Sequence, residues 1–256
     1  VTWKRSVVPV LVAATVLLTG CDQTKWIDEA GAPATPTDAA GLATFLQDGT
    51  KSIRSAHLEL EVDAAGNAIK GSGDETLKDG KAEAFDLTET IPGVGDIRVL
   101  MVDGQTYVQL PSGLNPSDKP WLLISAESSN PVVQQLATSL QSVTSSSSLD
   151  QYTAFTQAAT VRLVGPEQVN GTDATHYALS VDVTKLPNDT PGRSDLLSAG
   201  LVTLPVDLWV DDQGRPVKVS EELTVQDQKV TTLVTLSKFD EDVTITAPPA
   251  DQVAND

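Results

Sequence analysis

Few residues in this chain combine the type and the spacing that chemistry needs. Cys21 is the single cysteine, so no intramolecular disulfide can form and a redox role is the weaker reading of its thiol. The two histidines, His57 and His176, each sit beside polar neighbours in stretches that alternate like strands. A catalytic histidine needs a placed partner, and a surface or hydrogen-bonded role fits both better. Asp211, Asp212, Glu221 and Glu222 could suggest a cation site. Two fall in a turn and two in a strand, without the spacing of a calcium loop, so they read as solvated turn and edge charges. The sequence has no Gly-x-Ser-x-Gly elbow, His-Glu-x-x-His pair or glycine-rich phosphate loop, and no metal or other cofactor is expected. An enzyme is the last of the function classes considered.

The position of Cys21 is more informative. Lys4 and Arg5 precede an apolar stretch, Val7 to Leu18, which is shorter than the ~20 residues a spanning helix needs and reads as a secretory signal. Leu18-Thr19-Gly20-Cys21 resembles the bacterial lipobox. Small residues at 19 and 20 let the chain enter the signal peptidase, and the thiol at 21 takes a diacylglyceryl thioether. The other reading is an ordinary secretory signal with a chance cysteine. One acyl chain holds a protein to a bilayer only marginally, whereas the several chains of a lipoprotein anchor it stably. Cys21 is therefore the expected lipidation site, on the extracytoplasmic face of the cell membrane. Val1 reads as a translated GTG start codon, which leans towards a high-GC bacterium.

Residues 1–20 are thus expected to be a signal peptide, and 21–39 an acylated cysteine with a flexible linker. That linker mixes Pro, Ala, Thr and Asp without an apolar period, the composition of an extended leash. A domain is expected over 40–246, and 247–256 reads as a flexible acidic tail with little to bury. The formal charge is −18. A surface of that sign repels nucleic-acid phosphates and anionic headgroups, so no nucleic-acid partner is expected. Aromatics make up only 4% of the chain; with Val, Leu, Thr and Ser abundant, the composition is that of a β-rich domain with an aliphatic interior.

The elements that must position any site follow from periodicity. Leu42, Phe45 and Leu46 in Gly41–Ser52 lie at helical spacing behind a cap at Thr37 or Asp38. The period then becomes two: in HLELEVD, Leu58, Leu60 and Val62 share one face. Strands are expected at Ala68–Leu77, Ala82–Ile91, Asp96–Val102 and Gln105–Leu110, joined by turn-forming AAGN, KDGK, IPGVG and DG. After WLLIS, Pro131 opens a helical block with Val132, Val133, Leu136, Leu140 and Val143 as its stripe. DQYTAFTQAA is a shorter helical segment. Further strands are expected at Thr160–Val169, Thr175–Val183, Leu204–Val210, Pro216–Val225 and Lys229–Phe239, with a helical excursion at PGRSDLLSAG. The order predicts an α+β domain: one large antiparallel sheet with helices over one face.

Two stretches, VNGTDATHYALSVDVTKL and LPVDLWVDDQGRPVKVSEEL, together with the lipobox and the GDETLKDGKAEA hairpin, are similar to the LppX/LprAFG-type lipoproteins of mycobacteria and related actinobacteria. Asp-x-x-Gly-Arg hairpins also occur in LolA/LolB-type carriers. The resemblance implies a half-barrel, a strongly bent antiparallel sheet cupping helices around a large apolar cavity. It also implies a carrier of multi-acyl lipids or glycolipids, a monomer that works with a membrane lipid exporter and needs no cofactor.

The inward-facing apolar residues are the candidate ligand contacts: Leu60, Val62, Phe85, Leu87, Val99, Met101, Val108, Leu136, Leu140, Val181, Leu208, Val219 and Leu223. Aliphatic walls suit acyl chains because the attraction is non-directional and scales with buried area, at roughly 25 cal/mol per Å². The same stripe serves a filled core equally well, and a non-catalytic scaffold with a packed core is the alternative. Gly71 and Gly73 alternate inward with Ile69 and either ease bending at a cavity wall or mark a bulged edge strand. Trp209, out of phase with Leu208 and Val210, packs on the outer face or serves as an exposed docking residue.

Overall fold

The computed structural model describes residues 35–254 apart from 65, 126, 129–132, 135–147, 191 and 226–227. These belong to the second of the two units into which the chain divides, Pro33–Asp256. It opens with helix α1 (Ala39–Lys51), capped by Asp38, whose carboxylate accepts the Gly41 N–H at 2.8 Å. A β-meander follows: β1 (Ser55–Ala64), β2 (Asn67–Lys78), β3 (Lys81–Ile91), β4 (Gly95–Val102), β5 (Gln105–Gln109) and β6 (Trp121–Ile124). Helix α2 (Ser148–Gln157) leads to β7 (Ala159–Val169) and β8 (Thr172–Asp182). Helix α3 (Arg193–Ser198) comes next, then β9 (Thr203–Val210), β10 (Pro216–Val225), β11 (Gln228–Ser237) and a two-residue strand, β12 (Val253–Ala254).

All twelve strands form one open sheet in the order β12-β6-β5-β4-β3-β2-β1-β11-β10-β9-β8-β7. Two meanders run outward in opposite directions from a central seam, where β1 pairs antiparallel with β11 from His57↔Ser237 to Ala64↔Val230. Among the described residues only the β12–β6 pair is parallel. The fold is the expected α+β half-barrel: a bent, unclosed sheet with helices on its concave side. Bulges between Thr76 and Leu77, Leu163 and Gly165, and Pro216 and Lys218 supply local kinks and extra twist. Gly73 sharpens the bend, since a Cβ there would fall onto the β3 backbone at Asp86 and Leu87. β2 lies well inside the sheet, so the edge-strand reading of Gly71 and Gly73 does not hold.

The main core joins α1 and α2 to the concave side of β8–β11 through Leu42, Leu46, Phe155, Tyr177, Leu204 and Leu236. Helix α1 is docked by glycine. A Cβ on Gly49 would overlap the Gly214 carbonyl, and one on Gly214 would overlap the Phe45 carbonyl, so helix and β9–β10 turn meet backbone to backbone. Gly214 also has φ +81°, a conformation that costs other residues about 1–2 kcal/mol.

Two sequence expectations are corrected. The tail does have something to bury: Val253 is 5% exposed and packs with Trp121, Leu100 and Tyr107. Its carbonyl accepts from Lys119 Nζ at 2.9 Å. Asp211 is not a solvated turn charge but is 3% exposed. Its carboxylate accepts the N–H groups of Gln213 at 3.0 Å and Arg215 at 2.8 Å, and Arg215 Nε at 2.7 Å. Arg215 in turn stacks on Phe239 at 4.5 Å. The Asp-x-x-Gly-Arg stretch is thus a structural clasp rather than a site.

Candidate functional site

Strand register decides which side chains share the concave face. Leu60 lies opposite Gly71 and Val234, and Val62 opposite Ile69. Leu87 faces Gly73 and Val99, Phe85 faces Met101, and Val99 faces Val108. Across the seam Val219 pairs with Val234 and Leu208, and Leu223 with Val230. Leu208 and Val181 continue the row through Tyr177 and Leu204. Eleven of the thirteen candidates therefore fall on one face of one sheet, while Leu136 and Leu140 lie outside the described residues.

The face has two regimes. Val181, Leu208 and Val219 are almost wholly buried beneath α1 and α2, in the packed core. Val99 and Val108 are buried as well. Leu60, Val62, Phe85, Leu87, Met101 and Leu223 are only half-buried. Between α2, α3 and the β9–β10 pair lies a hollow of about 530 Å³, walled by Phe155, Leu196, Leu201, Leu204 and Leu223.

The apolar alternation hid a set of carboxylates. Glu75, Glu89 and Glu221 occupy concave register positions, opposite Ala56, Gly71 and Val206 respectively. Glu221 lines the hollow. It is not the solvated edge charge that its sequence neighbours suggest, because β10 is flanked by β9 and β11. Burial pushes the carboxyls of Glu89 and Glu221 above the ordinary range. The phenol of Tyr152 on α2 is raised by burial, then by the charges of Glu221 and Glu75. Burial also pushes Tyr177 up to about 12, and its hydroxyl has no hydrogen-bond partner among the described residues. Glu222 is exposed and pairs with Lys229 at 2.7 Å; Asp212 is exposed too.

The histidines are on the convex face, each already partnered. His57 Nδ1 meets Asp74 at 2.7 Å and Nε2 meets Ser72 at 3.3 Å. His176 lies between Glu167 at 2.9 Å and Asp207 at 2.8 Å and stacks on Trp209 with ring centroids 4.2 Å apart. Trp209 donates its Nε1–H to Glu167 at 2.7 Å and carries Lys218 Nζ 4.2 Å from its ring centre. These bonds, Trp209 first and His176 second, hold the Glu167 carboxyl below the usual range. Trp209 is 7% exposed within a convex-face cluster with Val169, Val217 and Phe239. It packs on the outer face, and the docking reading does not hold. No group of three His, Cys, Asp or Glu is placed to hold a metal ion among the described residues.

LprF from Mycobacterium bovis superposes with a TM-score of 0.51 at 16% identity, covering 83% of this chain and 99% of its own. This chain shares the LprF fold. The lipoprotein LppX from Mycobacterium tuberculosis gives a TM-score of 0.49 at 17% identity, over 81% and 99% of the two chains. A LolA superfamily protein from Nitrosomonas europaea gives 0.28 at 11% identity, over 84% and 97%. No protein-family model matches the sequence, and a comparison with curated proteins gives no match. The likeness to LprF is one of architecture: it places the concave face and the helices, and leaves ligand contacts to this chain's own residues.

Proposed function

We propose that the protein is a non-catalytic lipoprotein of the cell envelope that holds acylated lipids or glycolipids against its concave face and carries them between membranes. The observation that carries this reading is the set of half-buried apolar side chains Leu60, Val62, Phe85, Leu87 and Met101, which share the concave face of β1, β3 and β4 on either side of Gly71 and Gly73 in β2, with Glu75 and Glu89 among them. Apolar side chains gathered part-wetted on one concave face mark a surface that a ligand or partner covers in use. Acyl chains suit it because each buried methylene contributes about 0.8 kcal/mol without asking for direction. An acylated Cys21 anchors the body, and the linker between it and the Asp38 cap of α1 gives reach towards a donor or a membrane exporter. The burial of Trp209 speaks against its use as an exposed docking residue.

Native mass spectrometry of the full chain, released from detergent micelles in the gas phase, tests this. Co-purifying mass that fragments to fatty acyl groups is expected. A bare protein mass, with no uptake of a fluorescent diacyl lipid, would refute the carrier role. Metabolic labelling with an alkyne palmitate should mark the wild type and leave Cys21→Ser unmarked; label on the variant would contradict the anchor.

A further inference from the structure

The concave face is sorted by charge as well as by polarity. Lys70, Arg98, Arg162 and Lys218 pair in register with Thr90, Thr88, Ala178 and Trp209, all on the convex side. Lys51 is exposed at the end of α1, and Arg193 at the start of α3 directs its guanidinium to the Thr184 carbonyl at 3.4 Å. The sequence has no lysine or arginine between Lys119 and Arg162. Against this, Glu75, Glu89 and Glu221 stand on the concave side.

Glu221 matters most because of where it stands. It is the less exposed of the two carboxylates that line the 530 Å³ hollow, among Phe155, Leu196, Leu204 and Leu223, the other being the exposed Asp195, with half-buried Gln151 beside them. It has no hydrogen bond or ion pair among the described residues. Glu221 is half-buried, so its carboxylate is only partly withdrawn from water; a donor brought by a ligand that covers it replaces the lost water and avoids the penalty of an unpaired buried group. An anion in the same place would meet repulsion in an apolar surrounding, where charge interactions are least screened.

We infer, on the basis of the carrier reading above, that the hollow selects lipids whose polar group is a hydrogen-bond donor without negative charge, a hydroxyl or an ammonium received by Glu221, and turns away anionic headgroups. The acyl chains run from Leu204 and Leu223 across β11 towards Val62 and Leu60, since Glu221 lies in register with Thr232 and, beyond it, Val62, and the carboxylate fixes the polar end. A donor to an ionised acceptor is the stronger class of hydrogen bond, and Glu221 is the less exposed of the two acceptors in the wall.

The test uses the full chain in detergent and three dioleoyl probes: dioleoylglycerol, dioleoyl dimethylammonium-propane and dioleoyl phosphatidic acid. Wild type is expected to bind at least one of the first two about tenfold or more above phosphatidic acid, the scale of one charge-assisted bond. The tighter of those two tells whether the donor is hydroxyl or ammonium. Glu221→Gln should close most of that gap, while Glu59→Gln, on the convex face, should leave it unchanged. Phosphatidic acid bound as well as the others by wild type, or a gap that survives in Glu221→Gln, overturns the selection and leaves the carrier standing. If no probe loads, the carrier reading falls and the selection with it.

Discussion

Asp211 and Asp212 are chemically alike, adjacent in sequence, and opposite in environment. Asp211 is 3% exposed and collects two backbone N–H groups and the Arg215 guanidinium, whereas Asp212 is exposed. Removing one partner of a buried pair leaves the other uncompensated, so Asp211→Ala should cost about 3–5 kcal/mol. Asp212→Ala, a surface change, should stay within about 0.5 kcal/mol. Urea unfolding of the two variants checks this, and equal midpoints would mean that the clasp contributes nothing. A sequence reading cannot separate the pair, because the distinction rests on Arg215 and Phe239 folding over one carboxylate and not its neighbour. Glu221 was illegible for a related reason. With Val219 and Leu223 inward, alternation through SEELTV puts Glu221 on the same face, but it does not show that α2 and α3 wall a hollow around it.

Alternation served well at the level of strands. The expected ends of β3, β4 and β9 fall within one residue of those observed, and the phase of each strand puts Leu60, Leu87, Val99 and Leu208 on one face. What period two could not tell is which part of that face is covered. That depends on where α1 and α2 sit, and they sit over β8–β11. One bulky substitution therefore has opposite consequences at the two ends. Val181→Trp enters a site with no exposed surface and should overpack it, costing about 1–3 kcal/mol or more with a clear fall in melting temperature. Leu87→Trp, at a half-buried position beside Gly73, should fold with a near-wild-type melting temperature while its lipid content drops. Calorimetry and lipid extraction on each preparation read both outcomes. A Leu87→Trp protein that melts as low as Val181→Trp would show the whole face to be one filled core.

At the scale of the molecule, the end of the chain was the least legible part. A Pro-containing acidic stretch gives no period, yet Val253 and Ala254 pair with Trp121 and Leu122 and cover part of the convex face. Truncation after Pro249 should uncover the β6 edge and the Trp121 cluster. Such an edge invites pairing between copies, so the truncated chain should elute partly as oligomers in size-exclusion chromatography. A monomer with unchanged melting temperature would show the last strand to be dispensable. The order of the sheet was also out of reach, since hairpins announce themselves locally and the β1–β11 seam does not. That seam has a temporal meaning. A chain emerging amino end first makes β1 early, and the strand that completes it is among the last to appear. Long-range closure of this kind is slow, and throughout the interval one flank of β1 offers unpaired backbone to any passing strand. Glu59, Glu61 and Asp63 along that strand put a charge on every second residue, a pattern that disfavours edge-to-edge pairing while the edge stands open.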